Sequence, residues 1–107
     1  MLDNIRVVLS HPSHPGNIGA AARAMKTMGL HHLFLVNPKQ FPDAMADAMA
    51  SGANDVLQNA VICSSLEQAL QGAVLVVGMT ARHRDLYHAM LTLRDAAPQI
   101  LERAGEA

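Results

Sequence analysis

Two side chains on one predicted helix could hold a phosphate group. An Ala- and Met-rich stretch begins after a loop with two prolines and ends at Gly29. We expect Asn17 to be the N-cap of this helix, whose free N–H groups and positive dipole end favour an anion. Arg23 follows one and a half turns later, and a guanidinium can clamp a phosphate through two parallel hydrogen bonds. The alternative is an ordinary amphipathic helix on which Arg23 and Lys26 are solvated.

A second basic segment, residues 80–84, follows the most hydrophobic run of the chain. Its two arginines, Arg82 and Arg84, either contact the same anionic partner or are solvated. Gly16 and Gly19 do not have the spacing of a dinucleotide-binding fingerprint, and no phosphate-binding P-loop is present. A small nucleotide-binding protein is therefore disfavoured.

The histidines, the cysteine and the methionines indicate no second chemical centre. The neighbouring histidines, at 11 and 14 and at 31 and 32, lack the i, i+4 spacing of a helical metal site, so we expect no metal. Cys63 is expected to be a small buried hydrophobic residue rather than a nucleophile. The seven methionines are expected to fill gaps in the core rather than to line a groove.

Strands and helices are expected to alternate around these segments. The predicted strands are residues 5–9, 32–36, 60–63 and 73–79. The predicted helices are residues 17–29, 43–59 with an interruption at Gly52, 65–71 and 93–104. Because the last strand is apolar on both faces, we expect a Rossmann-like α/β fold, a parallel sheet with flanking helices. Ligands of such sheets bind at the carboxyl ends of the strands, where residues 10–17, 37–40 and 80–84 lie.

Length and composition restrict the class of protein. The chain has 107 residues, 50% of them hydrophobic and 16% charged, which fits a single compact domain and excludes intrinsic disorder. The single cysteine excludes a disulfide framework. No apolar run is long enough for a membrane span and the start lacks the basic segment of a signal peptide, so we expect a cytoplasmic protein without a membrane partner.

The charge is distributed unevenly, although the formal net charge is only -1. Up to Phe41, four cationic side chains stand against one carboxylate, a net charge of +3, and beyond Phe41 four stand against eight, a net charge of -4. Aromatic residues make up 3% of the chain, which leaves few platforms for base stacking. An anionic partner would therefore meet a local patch built mostly from the first third of the chain.

Longer motifs carry a family resemblance. Residues 13–30, SHPGNIGAAARAMKTMGL, followed by LFLVNP at 33–38, resemble the first motif of the SpoU branch of the SPOUT RNA 2′-O-methyltransferases. The resemblance continues through GANDVL at 52–57 and VVGMTAR at 76–82, so it covers nearly the whole chain. It is strongest to the bacterial members that methylate a ribose in the tRNA anticodon loop.

The resemblance implies transfer of a methyl group from S-adenosylmethionine to a ribose 2′-hydroxyl of tRNA or rRNA, with Arg23 as the catalytic residue. It also implies the following binding residues: Asn17, Lys26, Arg82 and Arg84 for the RNA, and Met79, Thr80 and Ala81 for the cofactor. A guanidinium stays protonated in proteins, so we interpret Arg23 as a clamp on the neighbouring phosphate that orients the hydroxyl. Met79 departs from the small polar residue expected at the first cofactor contact.

The second and third family motifs are not found in the chain. They form the trefoil-knotted C-terminal half, which holds most of the cofactor and builds the homodimer of the full-length protein. The resemblance therefore implies that residues 1–107 are a single partial SpoU-type domain, the N-terminal part of the fold with the knotted half missing. We expect negligible methyl transfer and very weak cofactor binding from this chain alone. The alternative is a non-catalytic RNA- or phosphate-binding α/β module that uses Asn17 and the Arg82/Arg84 loop.

Overall fold

The computed structural model of the protein describes residues 2–79 and 93–106. Within them, a 3₁₀ turn at Leu2–Asn4 precedes three strands and five helices. In chain order these are β1 (Arg6–Ser10), α1 (Pro15–Met28), β2 (His32–Val36), α2 (Ala44–Ala50), α3 (Asn54–Gln58), β3 (Val61–Cys63), α4 (Leu66–Leu70) and α5 (Leu93–Glu106).

The strands form one parallel sheet in the order β1-β2-β3. Ser10 of β1 pairs with Val36 of β2, and Phe34 of β2 pairs with Val61 of β3. Parallel neighbours need long crossover connections, and the helices provide them. The predicted α/β class, a parallel sheet with flanking helices, is confirmed.

Alternate side chains of the strands enter two separate cores on opposite faces of the sheet. On one face, Leu33 and Leu35 pack with side chains of α1, α2 and α3. On the other face, Val36 and Cys63 pack with Ala69 of α4. Cys63 is 3% exposed, which confirms that it is a buried hydrophobic residue.

Local signals determine where most helices begin and end. Gly29 ends α1 in the left-handed region, at φ 78°. Asp43 and Ser65 cap α2 and α4 because their side chains accept hydrogen bonds from backbone N–H groups of the first turns, at 2.8 and 3.2 Å. The predicted interruption at Gly52 is also confirmed, since α2 and α3 are separate helices and Gly52 between them has φ 93°.

The predicted fourth strand, at residues 73–79, is wrong. These residues lie outside the sheet, and Val74, Val76 and Met79 are 59%, 55% and 73% exposed. The Val74 carbonyl accepts a hydrogen bond from Arg103 Nη2 at 3.1 Å instead of one from a neighbouring strand. A segment that is apolar on both faces joins a parallel sheet only where both faces are covered. The exposure of these side chains shows that the described part of the chain does not supply that cover.

Most of the described methionines lie outside the core, contrary to the expectation. Met25 of α1 is buried, whereas Met28, Met45 and Met49 are 59%, 55% and 44% exposed. In the packing of α1 against α2, Ala46 and Ala50 of α2 are fully buried. Met45 and Met49 lie at the margin of this contact, with their Cγ atoms close to Gly16 of α1, and stay about half exposed.

Candidate functional site

The carboxyl ends of the three strands meet at one edge of the sheet. Backbone pairing continues one residue past β1 and β2: the His11 N–H donates to the Val36 carbonyl at 2.7 Å, and the Asn37 N–H donates to the Cys63 carbonyl at 2.9 Å. The loops that follow the strands are therefore aligned side by side. This is the edge at which open parallel sheets bind their ligands.

Asn37 links the loops through its side chain. Its Nδ2 donates to the Ser64 carbonyl at 2.9 Å and lies 3.4 Å from His11 Nε2, and His11 Nδ1 lies 3.0 Å from Ser10 Oγ. Asn37 and His11 both have left-handed backbones, at φ 45° and 52°. The sequence by itself did not predict this network. The signal that could have indicated it is the Asn-Pro step after an apolar strand, since asparagine tolerates the left-handed region and favours turns.

Helix α1 begins at Pro15, two residues before the predicted N-cap. Proline suits the first helical position because the N–H that it lacks would have had no partner inside the helix. His14 occupies the N-cap position, so the prediction that Asn17 caps the helix is wrong. Asn17 lies within the first turn, where its N–H donates to the His14 carbonyl at 3.1 Å and its side chain is exposed.

Arg23 lies in the middle of α1 on the exposed side of the helix. Its backbone carbonyl accepts a hydrogen bond from Thr27 Oγ1 at 3.1 Å. Its guanidinium makes no ion pair and no hydrogen bond with any residue that the structure describes. The N–H donors of the guanidinium are therefore open to an anion.

Asn17 and Arg23 do not converge on one point. Arg23 follows Asn17 by six positions, which places them about 9 Å apart along the helix axis and about 120° apart around it. The two side chains therefore leave the helix in different directions. An extended ligand that follows α1 can contact them in turn.

Lys26, one turn beyond Arg23, already has a partner. Its Nζ lies 3.0 Å from Asp55 Oδ1 and donates to the Gly52 carbonyl at 3.4 Å. Both charged side chains are about half exposed, and the hydrogen bond from Lys26 lowers the pKa of the Asp55 carboxyl. To contact RNA, Lys26 has to share or leave this carboxylate.

Arg6 of β1 is a structural cation that the sequence analysis did not assign. Its Nη1 donates to the Ala69 and Gln71 carbonyls at 3.0 and 2.8 Å, and its guanidinium lies 5.0 Å from the centroid of the Phe34 ring. These contacts attach the end of α4 to the sheet. The guanidinium of Arg6 thus serves the fold, whereas that of Arg23 does not.

The segment expected to contact the cofactor is described as far as Met79. Met79 is 73% exposed, and a Cβ added at Gly78 would meet no atom within 4 Å. Residues 73–79 therefore form no closed pocket for S-adenosylmethionine with the rest of the described chain. Outside the described residues lie Thr80, Ala81, Arg82 and Arg84.

Neither a metal centre nor a membrane segment is found in the part of the chain that the structure describes. No group of three or more His, Cys, Asp and Glu side chains is placed there to hold a metal ion. No helix in that part has the length and the apolar character needed to cross a membrane.

The arrangement of sheet and helices is that of solved methylases. A probable methylase family protein from Haemophilus influenzae superposes with a TM-score of 0.87 at 44% identity, over 94% of this chain and 42% of the other. TrmJ from Z. mobilis superposes with a TM-score of 0.84 at 38% identity, over 89% of this chain and 43% of the other. The fold is thus that of a methylase-type α/β protein.

Residues 4–100 match the SpoU rRNA Methylase family, and the chain belongs to this family. The tRNA (cytidine/uridine-2′-O-)-methyltransferase TrmJ of Pectobacterium atrosepticum is 53% identical over all 107 residues, and that of Salmonella typhimurium is 56% identical over 95 residues, 89% of this chain. The matched regions are 44% and 39% of those proteins' lengths. The family resemblance found from the motifs is confirmed, and the chain spans less than half the length of these relatives.

Proposed function

We propose that this chain is the RNA-facing part of an S-adenosylmethionine-dependent methyltransferase that methylates a ribose 2′-hydroxyl of tRNA in the anticodon loop. Residues 1–107 would form a single partial domain of that enzyme. The proposal depends on the open guanidinium of Arg23 in a chain that aligns along its whole length with relatives named as tRNA 2′-O-methyltransferases. A tRNA substrate implies that the enzyme acts in the cytoplasm, and the family implies a homodimer for the whole protein.

In this proposal Arg23 acts on the RNA side of the reaction. Because a guanidinium stays protonated, Arg23 does not remove the proton of the hydroxyl, which would pass to water or to a phosphate oxygen of the RNA as the oxygen accepts the methyl group. It donates two parallel hydrogen bonds to the phosphate beside the target ribose and so positions the 2′-hydroxyl for attack. Its charge also stabilises the negative charge that develops on the hydroxyl oxygen in the transition state.

The other site residues extend the contact on both sides of Arg23. Asn17 would contact a neighbouring part of the same RNA strand, since it leaves α1 in a different direction from Arg23. Lys26 would exchange Asp55 for a phosphate oxygen. The remaining residues in the proposal are Arg82 and Arg84 for RNA phosphates, and Met79, Thr80 and Ala81 for the cofactor, which supplies the transferred methyl group.

A chimeric enzyme tests the proposed function. This chain replaces the aligned residues of the Pectobacterium relative, and the remaining length of that protein completes the enzyme. We expect the chimera to methylate tRNA at a ribose 2′-hydroxyl, located by mass spectrometry of digested tRNA. We expect Arg23→Ala to lower kcat/KM by about 100-fold or more, because it removes both positioning and charge stabilisation.

The control for the loss of an exposed charge is Glu102→Ala in α5, a helix that contacts the segment before β1 rather than the loops after the strands. This variant should retain near-normal turnover. Near-normal turnover of Arg23→Ala would exclude Arg23 from the reaction. A chimera that folds, binds the methyl donor and still leaves tRNA unmethylated would contradict the proposed function itself.

A further inference from the structure

An open cleft lies beside Arg23 on the exposed face of α1. Its volume is about 380 Å³, within the range of roughly 300–1,000 Å³ that is usual for ligand pockets. Five of the lining residues form one stripe of α1 and the sixth belongs to α2: Ala20, Arg23, Ala24, Thr27, Met28 and Met49. The cleft is thus a mostly apolar surface with one cation in its wall.

The positive charge of this cleft is not neutralised by its surroundings. None of its described lining residues is a carboxylate, and the guanidinium of Arg23 has no partner among the residues that the structure describes. The nearby Lys26 is paired with Asp55. The cleft is therefore complementary to a ligand that carries a negative charge beside an apolar surface.

Met28 and Met49 form the apolar walls of the cleft. They are 59% and 44% exposed, although methionine is among the residues most often buried. A thioether is polarisable and makes favourable contacts with aromatic rings, and a guanidinium stacks on ring faces. Sulfur and guanidinium together give the cleft the means to hold a flat ring.

The described phenylalanine side chains are engaged elsewhere. Phe34 lies under the Arg6 guanidinium, and Phe41 packs against the larger core. Neither ring is a platform for a base, and Tyr87 is outside the described residues. The cleft beside Arg23 combines two thioethers, which can contact a ring, with a cation that has no partner among the described residues.

We propose that this cleft is a nucleobase subsite, in which Met28 and Met49 contact the face of an unpaired RNA base while Arg23 holds a phosphate of the same strand. The proposal rests on the proposed function for the identification of the ligand as RNA. It adds that the protein contacts a base face as well as ribose and phosphate. An unpaired base fits this role because a base inside a duplex has its faces covered by its neighbours.

Methionine methyl resonances of the 107-residue chain test the proposal directly. The chain, labelled with ¹³C at its methionine methyl groups, is titrated with a short single-stranded oligoribonucleotide, with the same backbone lacking its bases, and with inorganic phosphate. A stacked base shields a methyl group over its face. We expect upfield shifts of the Met28 and Met49 methyls with the complete oligonucleotide, several times larger than the shift of Met45, and no such shifts with the other two ligands.

Two matched variants on α2 make the test quantitative. Met49→Glu places a carboxylate in the cleft, and Met45→Glu places the same group one turn away on the same helix, outside the cleft. Both side chains are exposed, so both variants should fold. Met49→Glu should weaken binding of the oligonucleotide by about threefold to tenfold, the effect of losing a sulfur–ring contact and adding a repulsive charge. Met45→Glu should weaken it no more than twofold.

Three other results of the titration would contradict the proposed nucleobase subsite. Equal shifts with the backbone that lacks bases would mean that the cleft binds phosphate alone, and shifts that grow with protein concentration in the absence of RNA would make it a surface between two copies of the chain. No shift with any ligand, from a chain whose spectrum is that of a folded protein, would also exclude it. The chimera tests the proposed function separately, because its methyl transfer is measured independently of the chemical shifts of the methionine methyl groups.

Discussion

Lys26 and Arg23 lie one turn apart on α1, yet their surroundings give them different roles. The partner of Lys26 is Asp55 of α3, 29 residues away along the chain, so no local pattern indicates the pair. Both side chains are about half exposed, and an ion pair so exposed holds Lys26 only weakly. Arg23 has no such partner among the described residues, which is why it is the stronger candidate for an anion contact.

The interaction between Lys26 and Asp55 should disappear in acid. The hydrogen bond from Lys26 lowers the pKa of Asp55 in the folded protein. The ionised pair therefore contributes stability above the pKa of an unfolded Asp, about 3.9, and this contribution is lost as the pH falls through the lowered value. A double-mutant cycle of Lys26→Met and Asp55→Asn, followed by urea unfolding, isolates the interaction.

The cycle should give a small favourable coupling near neutral pH. It should give none in strong acid or in concentrated salt, where the charges are neutralised or screened. A coupling that stays constant from neutral pH into strong acid would show that the contact is not ionic. A coupling of zero at every pH would show that the two side chains do not hold each other in solution.

Among the elements, the α1–α2 pair determines the shape of the candidate site. A Cβ at Gly19 would overlap the Ala46 carbonyl oxygen and lie 2.9 Å from the Ala50 nitrogen. Both atoms belong to the backbone of α2 and cannot rotate away. Because the two helices approach this closely, alanines of α2 face α1, while Met49 lies at the rim beside Arg23.

Gly19→Ala should therefore destabilise the protein although alanine is the better helix former. Overpacking of this kind costs about 1–3 kcal/mol in the free energy of unfolding, more than the gain of up to about 1 kcal/mol in helix propensity. Gly16→Ala, one turn earlier, is the matched control, since its Cβ would lie 3.5 Å from Met45 Cγ and 3.6 Å from Met49 Cγ. Urea unfolding should place Gly16→Ala within about 1 kcal/mol of the unsubstituted chain. Equal stabilities of the two variants would contradict this view of the interface.

On the scale of the whole molecule, apolar surface is exposed at two places on or near the sheet. Val61 and Ile62 of the edge strand β3 are 44% and 51% exposed, and most side chains of residues 73–79 are exposed as well. Exposed apolar surface beside an open sheet edge is typical of a contact surface. The chain spans 44% of the length of the Pectobacterium relative, which has further residues available to cover such surface.

The exposure of residues 73–79 predicts that the chain alone binds the cofactor weakly. Met79 is exposed and no closed pocket surrounds it in the described part of the molecule. Titration calorimetry of the 107-residue chain with S-adenosylmethionine should give a Kd weaker than about 1 mM, whereas the chimera described above should bind the cofactor more tightly. Micromolar binding by the chain alone would contradict the prediction.

Much of the fold followed from local signals. The strands of residues 32–36 and 60–63 come from short apolar runs between turn residues, and the ends of helices at Gly29, Asp43 and Ser65 come from capping chemistry that involves only near neighbours. The family motif assigned Arg23, which the structure leaves exposed. The one local error, the cap at Asn17, arose because Pro15 is favoured at the first helical position and begins the helix earlier.

The features that only the folded chain could decide involve residues far apart in sequence. Residues 73–79 have the composition of a buried strand, but whether they join the sheet depends on cover from other elements. The local sequence does not distinguish Lys26 from Arg23, but the fold places Asp55 within ion-pair distance of Lys26. The methionines look like core residues in the sequence, but the packing of α1 on α2 buries two alanines and leaves Met45 and Met49 at the exposed margin. Composition and periodicity report what a residue prefers, whereas burial, pairing and exposure depend on which distant residues the fold places beside it.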